Sequence, residues 1–178
     1  MGKKLFFLTL LLFLFSAPLT LAHAQEVSPS AMPTPTPVDY QLPYPGILPG
    51  NPFYFLKVGR DKVMSFLISS PLKKAEFDLL QADKRLQASV VLLANGNQTV
   101  ALSTLGKGEN YFEEAITKIS EAKKQGMDIH DITKRLEVSN LKHQEVVVQM
   151  EQRATGDAKK QLANELQRIK ELGKKIKN

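Results

Sequence analysis

From Leu72 to Met150 the chain sets small or apolar residues at alternating steps of three and four, and it keeps that rhythm through three successive segments. The first runs Leu72, Ala75, Leu79, Ala82, Leu86, Ser89 or Val90, Leu93; the second Ala101, Leu105, Gly108, Phe112, Ala115, Ile119, Ala122; the third Ile129, Ile132, Leu136, Ser139, His143, Val146, Met150. Such steps average close to one helical turn, so each set lies on one helix face, and a stripe of that kind has to be buried against another helix. No period-two alternation competes with it. The pattern predicts an all-α fold with helices over about 52–69, 71–95, 98–125, 128–154 and 158–177. Segments of about 25 to 28 residues are ~40 Å long at 1.5 Å per residue, and short connections force antiparallel neighbours. The expected architecture is an elongated, coiled-coil-like antiparallel bundle of about five helices.

The proposed ends carry helix punctuation. Asn51-Pro52 and Ser70-Pro71 each offer an N-cap followed by a proline suited to the first helical position, which implies a corner between two helices. Asn95-Gly96-Asn97, Gly126 and Gly156 read as stops, and Asp128 (with Asp131 three residues on) and Asp157 as starts. Gly106 and Gly108 each cost about 1 kcal/mol inside a helix. The seam nevertheless runs through them in phase, which places Gly108 on the buried face, where a missing side chain admits a neighbouring backbone or ring.

Ahead of the helices the composition changes twice. Residues 1–24 read as a signal peptide: Lys3 and Lys4, an apolar run from Leu5 to Phe15, Pro18, and Ala22-His23-Ala24 as a peptidase site, with cleavage between Ala24 and Gln25. Kept uncleaved, Leu5 to Leu21 would be a membrane anchor at the short limit for a span. Eight of the ten prolines lie between 29 and 52. Residues 25–39, rich in Thr-Pro, read as an extended polyproline spacer. Residues 40–51 differ, because prolines there alternate with large apolar side chains. Such a segment forms neither helix nor central strand, so an extended strap is expected. The expected location is outside the cytosol, secreted or held at the membrane by the N-terminus.

Three stretches carry a family resemblance: Tyr40 to Lys57 (YQLPYPGILPGNPFYFLK), Leu67 to Leu86 (LISSPLKKAEFDLLQADKRL) and Gly108 to Ile116 (GENYFEEAI). Over about residues 40–125 the chain resembles an uncharacterised helical domain, a domain of unknown function, of exported bacterial proteins. The resemblance implies bacterial export, helices and no assigned activity, and it supplies no catalytic residues. Ser70 stands where that pattern would place Asp before Pro71, a change that keeps a capping side chain.

The chain holds no cysteine, which excludes disulfides, thiolate metal sites and cysteine nucleophiles. After cleavage only His130 and His143 remain; thirteen residues apart, they would diverge by about 220° on one straight helix and cannot share a metal. No Glu-x-x-His motif of the di-iron type is present. His143, on the seam, reads as a hydrogen-bonded core or interface histidine. Glu113-Glu114 and Glu76 with Asp78 read as solvated faces rather than acid/base pairs, and neither a nucleophile elbow nor a phosphate-cradling glycine string occurs. The expectation is a non-enzyme without metal or cofactor, acting structurally or through protein contact.

Two surfaces stand out. The strap and the helix start beside it carry Tyr40, Leu42, Tyr44, Ile47, Leu48, Phe53 and Tyr54, which either pack in a groove between helices or are presented to a protein partner. The C-terminal segment 158–178 holds Lys159, Lys160, Arg168, Lys170, Lys174, Lys175 and Lys177 against Glu165 and Glu171, while residues 25–157 have a net charge of minus one. Leu162, Leu166, Ile169, Leu172 and Ile176 give that helix an apolar side. It either completes the bundle or lies on anionic lipid or an anionic envelope polymer. No aromatic side chain interleaves its lysines, which argues against nucleic acid. A small extracytoplasmic chaperone is a further reading and requires an exposed apolar concave face.

Overall fold

The computed structural model describes residues 37–177. The proposed signal peptide, its cleavage between Ala24 and Gln25, and most of the Thr-Pro spacer lie outside the described residues. Those described form an extended strap followed by five helices: α1 (Tyr54–Leu67), α2 (Pro71–Ala94), α3 (Gln98–Lys124), α4 (His130–Arg153) and α5 (Gly156–Lys177). No strand occurs among them, and the fold is all-α.

Several boundaries differ from those read in the sequence. Asn51 does cap, but as a turn: its Oδ1 accepts the Phe53 N–H at 2.9 Å, and regular helix starts only at Tyr54. At its far end α1 stops at Leu67, where Ile68 turns extended. Ser70 is extended as well, the conformation imposed on a residue before proline. Pro71 then opens α2, yet the Ser70 hydroxyl makes no capping bond; its carbonyl accepts the Lys74 N–H at 2.9 Å. Asp128 caps from two residues away, accepting the His130 N–H at 3.0 Å. Gly156 is not the stop of α4. That helix ends at Arg153, with Ala154 extended, and Gly156 begins α5 at φ +57°.

The helices α2 and α3 pair along their length as one antiparallel hairpin, α4 and α5 as another; α3 packs on α5 and α2 on α4. The cyclic order α2, α3, α5, α4 is a four-helix bundle built on the predicted seams, with α1 outside it. The core has two apolar halves. Leu79, Phe112, Leu136 and Leu172 centre one; Leu86, Leu105, Val147, Leu162 and Ile169 centre the other. Gly108 sits between the halves, where a Cβ would come within 3.1 Å of Arg85 Cβ and 3.3 Å of the Ala82 carbonyl oxygen. The glycine lets α3 approach the α2 backbone directly.

Gly108→Val should therefore cost about 1–3 kcal/mol through overpacking. Gly59, in α1, is the control, because a Cβ added there would meet nothing within 4 Å: Gly59→Ala should gain up to about 1 kcal/mol from helix propensity. Urea midpoints measure both, and equal effects would contradict the close approach.

Candidate functional site: a buried ionic layer, a latched strap and an outward-facing helix

Between the two apolar halves lies a polar layer. Asp83 follows Ala82 on the α2 seam, Glu109 follows Gly108 on the α3 seam, and α4 contributes Ser139, Asn140 and His143; all five are buried. His143 Nδ1 lies 2.9 Å from Glu109 Oε1 and Nε2 lies 3.0 Å from Asp83 Oδ1. Burial alone would push the imidazolium's pKa down, but the Glu109 and Asp83 carboxylates outweigh it and hold the pKa up at about 9. The ring is thus a cation at neutral pH, donating from both nitrogens. The Ser139 hydroxyl donates to Asp83 Oδ1 at 2.7 Å, and Phe112 packs on the imidazole at a centroid distance of 5.1 Å. Glu109 Oε2 is buried without a partner. Asn140 extends the layer to α5 by donating to the Ile169 carbonyl at 2.8 Å.

This layer is buried from solvent. Both imidazole nitrogens already face carboxylates, so neither offers a lone pair to a cation, and no His, Asp or Glu group among the described residues is arranged to hold a metal ion.

The strap enters the same layer. The Tyr40 hydroxyl donates to Asp83 Oδ2 at 2.5 Å; burial and then the Asp83 charge raise its pKa well above the ordinary phenol value. Two residues earlier, the Val38 N–H donates to Glu145 Oε2 at 2.7 Å, and the Val38 carbonyl accepts from Lys142 Nζ at 3.3 Å. Leu42 packs against the half of the core around Leu86. The strap then lifts: Tyr44 is 82% exposed and Ile47 and Phe53 are exposed too, while Pro45 is buried and Leu48 and Tyr54 are half-buried. The strap divides between its residues, with Tyr40 and Leu42 packed and Tyr44, Ile47 and Phe53 exposed.

Helix α1 is turned with its apolar side out. Tyr54, Lys57, Val58, Asp61, Ser65 and Ile68 face the rest of the protein, and Asp61 is the helix's one fully buried residue. Beside the half-buried Tyr54, Val58 and Ile68, the contact carries polar bonds: Lys57 Nζ donates to the carbonyls of Pro45 (2.6 Å) and Ile47 (3.3 Å), and Lys74 Nζ donates to the Ser65 hydroxyl. Phe66 (88% exposed), Phe55 (67%), Leu56, Val63, Met64 and Leu67 point to solvent. Rings carry roughly 150–250 Å² each, so Phe53, Phe55 and Phe66 alone leave roughly 300–550 Å² of aromatic surface in water. That equals the largest apolar patch of a typical monomer, before the aliphatic residues are added.

The basic C-terminal helix is built differently. Ala158, Leu162, Ile169 and Leu172 of α5 are buried, with Leu166 and Ile176 packed at the core edge. Its apolar side thus completes the bundle. Lys175 donates to Glu113 Oε1 at 2.6 Å, holding that carboxyl below its usual range, and Arg168 reaches Asn110 (2.7 Å) and Glu113 (3.3 Å). Lys174 pairs with Glu171 at 2.9 Å. Lys159, Lys160, Lys170 and Lys177 form no ion pair among the described residues, so a charged outer face remains.

The model of a domain of unknown function, DUF5667, matches residues 46–177. The chain belongs to that family. The DUF5667 match includes both C-terminal helices, beyond the 40–125 stretch of resemblance, and begins after Tyr40 and Leu42. No curated protein and no solved structure matches the chain.

The raised pKa of His143 makes its stabilising contribution complete below its unfolded value of 6.5 and lost as pH rises through about 9. The stability advantage of the wild type over His143→Gln should accordingly shrink across that window in urea titrations. Tyr40→Phe should cost about 1–3 kcal/mol, because Asp83 Oδ2 is left buried without its donor; an unchanged midpoint would mean that the strap is not latched.

Proposed function

We propose that this protein is a non-enzymatic binding module of the cell exterior, in which the four-helix bundle is a scaffold that presents the exposed strap residues and α1. The observation that carries this reading is the orientation of α1. A helix that only completed the fold would bury Phe55, Leu56, Val63, Phe66 and Leu67, since burying a large apolar side chain stabilises by about 1.5–3 kcal/mol. Here those residues are exposed, and the side that docks carries Lys57, Asp61 and Ser65 beside the smaller apolar contribution of Tyr54, Val58 and Ile68. The sealed ionic layer supports a structural rather than catalytic role for the buried titratable groups. Export is supported by the signal-like residues 1–24 and the Thr-Pro spacer, which would hold the bundle away from an upstream attachment point.

Binding through α5 draws less support, because its apolar side is already in the core and only its lysines remain to act. The chaperone reading is not favoured either, as the exposed apolar surface is the outer face of a single helix rather than a concavity.

A photo-cross-linking side chain at Phe66, in cells producing the full chain, should yield covalent adducts with protein or lipid, and one at Thr99 should yield none above background. Phe55→Ser with Phe66→Ser should abolish binding while shifting stability by no more than about 0.5 kcal/mol per site. Absence of any adduct at position 66 would contradict the reading.

A further inference from the structure

We infer that the outward face of α1 docks on an anionic lipid surface, lying in the headgroup region with its aromatic stripe inserted; this rests on the reading of α1 as the presented element. At about 100° per residue, Phe55, Phe66, Val63, Leu56 and Leu67 fall within an arc of about 120°. Lys62 lies about 20° beyond one edge of that arc and Arg60 about 20° beyond the other. An apolar stripe between two cationic margins is the arrangement of a helix that lies in a membrane interface. At 14 residues, α1 is about 21 Å long, too short to cross a hydrocarbon core of about 30 Å. No described helix is long and apolar enough to cross a membrane.

Charge selects the occupant. The one acid in α1, Asp61, is on the opposite side, buried and paired with Arg60 at 2.8 Å, so the outward face has no carboxylate. Beside the stripe, a cleft of about 390 Å³ between strap and helix is lined by Tyr44, Ile47, Leu56 and three cations, Lys57, Arg60 and Lys84, with no acid. Burial lowers the pKa of Lys57, and the Arg85, Lys84 and Arg60 charges lower it further against the pull of Asp61, the carboxylate already bonded to Arg60. Lys57 and Lys84 form no ion pair among the described residues, and phosphate headgroups would supply their counter-ions while the acyl region receives the rings. A second copy of this chain would instead bring the same acid-free, cationic margins against each other.

The chain contains no tryptophan, so Phe66→Trp installs a single fluorescent reporter in the stripe of the full-length protein, and Thr99→Trp one on the bundle as control. With vesicles of phosphatidylcholine and phosphatidylglycerol, the F66W indole should shift to the blue and be quenched by shallow nitroxide-labelled lipid, and the T99W indole should do neither. Affinity should fall about fivefold for each cation lost, so the double variant Lys62→Gln, Lys84→Gln, which leaves the Arg60–Asp61 pair intact, should bind about 25-fold more weakly than its parent. Two results overturn the lipid assignment: an F66W indole that stays in water although the chain sediments with the vesicles, and equal quenching in neutral and anionic vesicles. If position 66 still cross-links to protein in cells, presentation by α1 survives without lipid. A blue shift without lipid that grows with protein concentration identifies a second copy and overturns the lipid surface. A lipid-free shift independent of concentration means that the chain's own apolar segment covers the stripe, which overturns both readings.

Discussion

The contact on which this architecture depends is the imidazolium of His143 held between the carboxylates of Asp83 and Glu109. It joins three helices from both hairpins at one level of the core, where an unpaired charge would carry a large desolvation penalty. A shift of one helix past another would separate charges that no water can reach, so the polar layer fixes the axial register, which interchangeable Leu and Ala contacts above and below leave weakly specified. The Gly108 contact with Arg85 Cβ and the Ala82 carbonyl, beside the layer, brings α3 close enough for Glu109 to reach the imidazole.

The same layer governs the strap. Asp83 accepts from Ser139 and His143 at one oxygen and from Tyr40 at the other, so the strap's anchor is the carboxylate that also holds the hairpins together. From that anchor and the Val38–Glu145 bond the chain runs over the bundle to Pro45, whose carbonyl receives Lys57. The hydrogen bonds that hold α1 follow: Lys57 reaches the strap and Ser65 receives Lys74, which leaves its rings exposed. Had the apolar side docked instead, its rings would have been buried against the bundle and bound it more strongly.

Much of the fold was legible because periodicity reports directly on burial. The seams of α2, α3 and α4 place Leu79, Leu86, Leu105, Phe112 and Leu136 correctly inside, and His143 could be read as hydrogen-bonded from its place on a seam. Its partners could not. Asp83 and Glu109 sit one position off their seams, where a carboxylate ordinarily reaches solvent, and only the lateral order of the helices turns them inward. The usable signal was a histidine on an apolar stripe, which demands partners, combined with acids flanking Ala82 and Gly108. For α1 the caps suggested a helix and the corner after it, but amphipathicity says only that two faces differ. Which face docks was decided by Lys57 and Ser65 finding partners on the strap and α2. The strap could not be assigned as a whole to packing or to presentation, because the alternation of proline and aromatic residues turns successive side chains toward and away from the bundle.

The protonation state of His143 tests the account most directly, and nitrogen-detected NMR of the imidazole reads it without perturbing the layer. At neutral pH both ring nitrogens of His143 should carry protons, with titration only near pH 9. A neutral ring with one unprotonated nitrogen at pH 7, titrating at or below the ordinary histidine value, would contradict an ionic layer at the centre of the fold.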